Sequence, residues 1–256
     1  DGGLSWAPGR IADGNDEIPL GLGDPKAVFD EFGNLFVTYL GAARNTVVLV
    51  VSKDGGKTFR LVEEIPAPGS SPGGSLAVDQ PSVAVGAGSV WITYQDKFNH
   101  HVIAAGAAVT GRDQVGSLAS FIVPGSEEGG FGDIKVGPQG QVLVSWQTDP
   151  TSGLPAPNRV YTSLDSDGLG TGVFSPPRPL ANTFTPIAPF PFMPTQGVVS
   201  ELNLAWDGNL GEMGRVYVAF TEPTPPPGNP ENFSDLPPGI LNRSGHPVHG
   251  YQVGFP

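Results

Sequence analysis

Apolar residues in this chain come in short unbroken runs, not in helical stripes. Val47-Val48-Leu49-Val50-Val51 is one such run, and Leu35–Tyr39, Val90–Tyr94, Val142–Trp146 and Val216–Phe220 are others, each closed by an aromatic. Runs of this length bounded by Gly and Pro predict strands buried on both faces, while outer strands should alternate. No stretch carries apolar residues at a 3.6-residue period, so the chain is predicted to be all-β.

The runs belong to a repeat. Asp24-Pro25-Lys26-Ala27-Val28-Phe29, a turn at 30–34 and Leu35–Tyr39 form the first copy. Asp79–Val85 with Val90–Tyr94, Asp133–Val136 with Val142–Trp146, and Glu201–Trp206 with Val216–Phe220 are the others. In each, an acid opens a short strand, a Gly-containing turn follows, and a second strand ends in a small residue and an aromatic. A third strand is expected at Thr46–Val51, His101–Val109, Arg159–Ser163 and Ile240–Ser244. The spacing of the closing aromatics Tyr39, Tyr94, Trp146 and Phe220 fits blades of roughly 40 to 50 residues, each a four-stranded antiparallel sheet. The expected architecture is therefore a β-propeller with four to five blades visible, either whole or as part of a larger ring. It is read as a single domain over 1–256 with insertions at 181–199 and the proline-rich 223–239; residues 237–256 match no repeat position.

Composition agrees. Gly 37 and Pro 28 among 256 residues supply turns, and 38% hydrophobic content supplies a core. A net charge of −12 excludes an electrostatic footprint for nucleic acid, and no apolar run is long enough for membrane insertion. The absence of cysteine excludes disulfide scaffolds and thiolate metal sites. The chain opens on Asp1-Gly2-Gly3-Leu4-Ser5-Trp6, half of a hairpin motif, which leads us to expect a processed or truncated polypeptide.

The full motif is Ser52-Lys53-Asp54-Gly55-Gly56-Lys57-Thr58-Phe59, after the Val47–Val51 run. Ser52, Asp54, Gly56, Thr58 and Phe59 fit the pattern Ser-x-Asp-x-Gly-x-Thr-aromatic, a tight hairpin in which Asp54 accepts backbone N–H groups. Ser163–Gly168 followed by Val173-Phe174 reads as a lengthened copy. The motif resembles the Asp-box (BNR repeat) of sialidase-like β-propellers. Gly214–Phe220 and the opening hexapeptide are similar to phrases of bacterial sialidase-related repeat proteins. The resemblance implies a structural role for the Asp-box, on the rim away from the active face.

It also implies what an active sialidase would need: three arginines for a substrate carboxylate, a Tyr–Glu nucleophile and an Asp acid/base. Arg10, in Pro8-Gly9-Arg10-Ile11-Ala12, falls on an outer strand, and no other arginine opens an innermost strand, so the catalytic residues stay unassigned. Asp24, Asp79, Asp133 and Glu201 open the innermost strands, where four carboxylates would converge on one mouth of the channel. They would hold Ca²⁺, or would accept N–H bonds from neighbouring blades and lock the register. The expected function is a non-catalytic extracellular or cell-surface module that binds glycan or a surface protein, or serves as part of a larger assembly. The alternative is a glycoside hydrolase, exo-sialidase-like, with a degenerate or partly missing active site.

Overall fold

The computed structural model describes residues 4–5, 8–42, 45–66, 77–148, 158–183, 200–209 and 214–221, and the backbone of 240–241, 247–248 and 250–253. The chain is a β-propeller, with full and partial blades and no helix among the described residues. The first blade is β1 (Gly21–Phe29), β2 (Leu35–Gly41), β3 (Thr46–Ser52) and β4 (Arg60–Pro66), antiparallel in sequence order. The second is β5 (Val78–Gly86), β6 (Ser89–Asp96) and β7 (His101–Gly111), whose outer edge pairs with two short pieces, β8 (Gln114–Val115) and β9 (Ala119–Ile122). β10 (Gly129–Val136), β11 (Val142–Thr148), β12 (Asn158–Asp165) and β13 (Arg178–Thr183) make the third. The fourth has β14 (Asn203–Asp207) and β15 (Arg215–Ala219); β16 (Ile240–Leu241) and β17 (Pro247–Val248) form a separate ribbon, and β18 (Gly250–Val253) completes the blade.

That last strand corrects the sequence expectation. Ile240 and Leu241 pair with β17, and it is Gly250–Val253 that lies beside β15. Ala181–Thr183 end β13 and so belong to a blade; 184–199 and 223–239 lie outside the described residues, as does the opening hexapeptide apart from Leu4 and Ser5.

The solid apolar runs are buried on both faces for the predicted reason. Alternate residues of β2 and β3 face opposite sides. Phe36, Val47, Leu49 and Val51 pack against Val83, Ile92 and Ile103 of the second blade. Val37, Tyr39, Val48 and Val50 pack under Ala12 and Ile18 of the N-terminal segment. Trp91 and Trp146 fill the next interface with Ala84, Ile134 and Val144, and Leu143, Leu204 and Val218 the one after. Each buried Val, Leu or Ile contributes about 1.5–3 kcal/mol relative to exposure. The closing aromatics Tyr39, Tyr94 and Trp146 are all buried, in line with blade-to-blade packing.

The turn at Ser52–Phe59 is closed by side chains. Ser52 Oγ donates to Asp54 Oδ1 at 2.8 Å and accepts from Gly56 N at 2.8 Å. Asp54 accepts from Lys57 N, Thr58 N and the Thr58 hydroxyl at 2.7–3.0 Å. These bonds, led by the Thr58 hydroxyl, hold the Asp54 carboxyl well below the usual carboxylate range. Gly55 and Gly56 take φ of 75° and 89°, which a Cβ would disfavour. Across the rim, Asp113 of the second blade accepts Lys53 Nζ and Arg60 Nε, both at 2.9 Å.

The third blade varies this turn. Asp165 stands two residues before Asp167, as Ser52 stands before Asp54, and its Oδ1 accepts Asp167 N and Gly168 N at 3.2 and 3.0 Å. Asp167 accepts Thr171 N and Gly172 N. Burial foremost raises the Asp165 carboxyl, whereas the Gly172 N–H foremost lowers Asp167. Across the ladder Asp165 faces Val142, which carries no charge, and Asp167 is the ionisable neighbour acting on it.

Two outcomes follow from this packing. A Cβ on Gly106 would sit 2.5 Å from the Trp91 indole, so Gly106→Ala should destabilise the fold by about 1–3 kcal/mol in urea unfolding. A proton held more tightly by folded Asp165 than by unfolded chain contributes stability that is present in acid and lost as pH rises through the raised value. Asp165→Asn, permanently neutral, should therefore gain Tm relative to wild type from acid to neutral pH. A gap constant with pH would show that Asp165 does not titrate there.

Candidate functional site

The innermost strands β1, β5 and β10 each break register near their start, between Gly23 and Lys26, Asp79 and Ser82, and Gly130 and Asp133. An extra residue is accommodated at each bulge, and its backbone turns left-handed. The residues there are Asp24 (φ 53°), Gln80 (φ 52°) and Phe131 (φ 55°), and Glu201 (φ 48°) takes the same conformation just before β14. None is glycine, so each costs on the order of 1–3 kcal/mol, held in place by surrounding structure. The following residues are Pro25, Pro81, Gly132 and Leu202, and then Lys26, Ser82, Asp133 and Asn203.

Among the described residues, eleven of these and no others line a cavity of about 230 Å³ at the channel mouth; Asn203 is the one left out. Its wall is amphipathic: Phe131, Pro25, Pro81 and Leu202 on the apolar side, with Asp24, Lys26, Gln80, Ser82, Asp133 and Glu201 supplying polar groups. No arginine lies among them.

Inter-blade hydrogen bonds fix the geometry. Gln80 Oε1 accepts Phe131 N at 2.7 Å, and Phe131 O accepts Leu202 N at 3.2 Å, so the Gln80 side chain and the bulge backbone at Phe131 link the second, third and fourth blades. Asp133 is the node beneath. Its Oδ1 accepts Ser82 Oγ at 2.5 Å and Ile134 N at 2.8 Å, and its Oδ2 accepts Lys135 Nζ at 2.9 Å and Leu204 N at 2.8 Å. One buried carboxylate thus ties β5, β10 and β14 together. Asp24 and Glu201 are exposed into the same cavity.

The expected ring of four equivalent carboxylates is not what the backbone builds. Asp24 and Glu201 occupy the bulge position, but Asp79 precedes it by one residue and Asp133 follows it by two. Asp79 does not line the cavity and pairs with Lys97 Nζ at 2.6 Å. Among the described residues no three His, Cys, Asp or Glu side chains are grouped as metal ligands. Matching the repeats by their first acid caused the slip. Matching Asp24-Pro25 with Gln80-Pro81 would have found Gln80, because the X-Pro step marks the bulge in both blades. Nothing local in Phe131 announces its role.

Neither a protein-family model nor a curated protein matches the sequence. Among solved structures, the Penicillium chrysogenum α-L-arabinanase complexed with arabinobiose is 16% identical, with TM-score 0.45, over 77% of this chain and 58% of that one. The α-L-arabinofuranosidase from Lactobacillus brevis is 12% identical, TM-score 0.47, over 78% and 63%. A thermostable family-43 glycoside hydrolase is 14% identical, TM-score 0.44, over 80% and 64%. The matched part of this chain spans 58 to 64% of the length of these proteins. Likeness at this level says nothing of chemistry, and the fold stands on the chain's own sheets and their packing.

Removing the Asp133 carboxylate should leave the buried Ile134 and Leu204 N–H groups without acceptors. Asp133→Ala is expected to lose on the order of 3 kcal/mol in urea unfolding, with Asp133→Asn losing less.

Proposed function

We propose that the channel mouth is a carbohydrate site and that Asp24 and Glu201 are the carboxylate pair of a glycoside-cleaving centre. The observation that carries this is the division among the three acids of the cavity: Asp133 is buried and committed to four hydrogen bonds, while Asp24 and Glu201 stand exposed on strained backbone. Glycoside hydrolysis needs two carboxyl groups flanking the scissile bond. One gives a proton to the leaving oxygen, and the other activates water or attacks the anomeric carbon. An apolar wall facing convergent polar groups suits a sugar ring, which has C–H faces and hydroxyl edges.

Among the described residues the cavity offers Lys26 as its cation and no arginine. It therefore favours a neutral sugar over a sialoside, whose carboxylate is best held by planar guanidinium groups. The second reading, a glycan-binding module without turnover, keeps the same residues and differs only in the fate of the bound sugar.

A panel of aryl glycosides, including arabinosides and sialosides, tests the choice. The expected result is turnover of a neutral glycoside that falls roughly 10²–10⁴-fold in Asp24→Asn and in Glu201→Gln, with unchanged circular dichroism. Saccharide binding without turnover, lost in the same variants, would establish the binding module instead.

A further inference from the structure

We infer that Phe131 is the platform on which the C–H face of the bound sugar stacks at the channel mouth. This rests on the carbohydrate reading above and assigns the residue that selects the ring.

The position is unusual for a phenylalanine. Its backbone is left-handed at φ 55°, a conformation that bulky side chains avoid. The equivalent residues of the other blades are all polar: Asp24, Gln80 and Glu201. The strain is imposed from both sides, since the Phe131 N–H is held by Gln80 Oε1 and its carbonyl by Leu202 N, across two blade interfaces. A core role would explain a strained aromatic, but Phe131 belongs to none of the four apolar clusters and stays half-buried. Phe131 instead lines the cavity that Asp24 and Glu201 share.

An aromatic side chain sharing a cavity with hydroxyl-binding groups matches the two-sided polarity of a sugar. The ring's π-face accepts the polarised axial C–H bonds, while the carboxylates and Gln80 meet the hydroxyl edge. An inorganic anion would gain nothing from such a face. Because stacking depends on how a sugar presents its C–H face, Phe131 would discriminate between epimers that the acids alone treat alike.

The test uses the aryl glycoside that the wild type turns over, or the saccharide it binds, with the variants Phe131→Ala, Phe131→Leu, Phe131→Trp and Phe131→Gly. KM, or Kd where there is no turnover, should rise roughly tenfold in Phe131→Ala with kcat changed much less, and Phe131→Trp should stay close to wild type. Phe131→Leu keeps the bulk without the π-face and should resemble Phe131→Ala. Phe131→Gly, which relaxes the backbone, should bind as poorly while keeping the Tm. Wild-type affinity in Phe131→Leu would make the ring a spacer and overturn the inference. Unchanged KM or Kd in Phe131→Ala, alongside a dead Asp24→Asn, would overturn it while leaving the carbohydrate site standing. A wild type that neither binds nor cleaves any glycoside would remove both.

Discussion

A sheet that is apolar on both faces can leave water only by lying between two other apolar surfaces. That constraint governs this molecule. β2, β3, β6 and β11 are buried along nearly their whole length, and each interface is filled from both sides, as where Phe36 and Leu49 of the first blade meet Ile92 and Ile103 of the second. Packing is close enough that Trp91 lies directly on the backbone of Gly106, across the ladder from it. Radial stacking satisfies the constraint repeatedly, and it brings the first strand of every blade to a common axis.

Convergence creates a second requirement. Strand starts crowded around an axis must link to one another without lateral ladders, so side chains and bulged backbone take over the hydrogen bonding. Asp133 reaches Ser82 on one neighbour and Leu204 N on the other, and Gln80 and Phe131 carry the link one layer above. A buried carboxylate with four donors is well satisfied. An acid in that position takes donors from both neighbouring blades, the register-locking role that the sequence left open for it.

Much of the fold was legible because it follows from period and turn chemistry. The apolar runs named β2, β6, β11 and β15 to within a residue or two, and the Asp-Gly-Gly step at 54–56 marked a hairpin whose Ser52, Asp54 and Thr58 bonds close the turn. What was not legible depended on register. A bulge shifts the reading frame by one residue, which turns each side chain to the other face, so acids that looked equivalent came to rest at three different positions. Gly250–Val253 escaped notice because a four-residue pairing across a long excursion carries no local signature, and its competitor Ile240-Leu241 has the better apolar pattern.

The repeat and the chemistry therefore carry different information. The backbone reproduces one strained conformation at 24, 80, 131 and 201, and inter-blade packing enforces it whatever side chain is present. Because the strain is constant, the backbone conformation does not choose the side chain at that position, as packing chooses Trp91 or Ile92, although Gln80 is also held by its bond to Phe131 N. Asp, Phe and Glu at three of the four equivalent places are thus the part of the mouth that the backbone conformation does not dictate. Function in a repeat fold is to be sought where equivalent positions diverge, and here the divergence is a pair of exposed carboxylates, an amide that braces, and an aromatic ring with no core to fill.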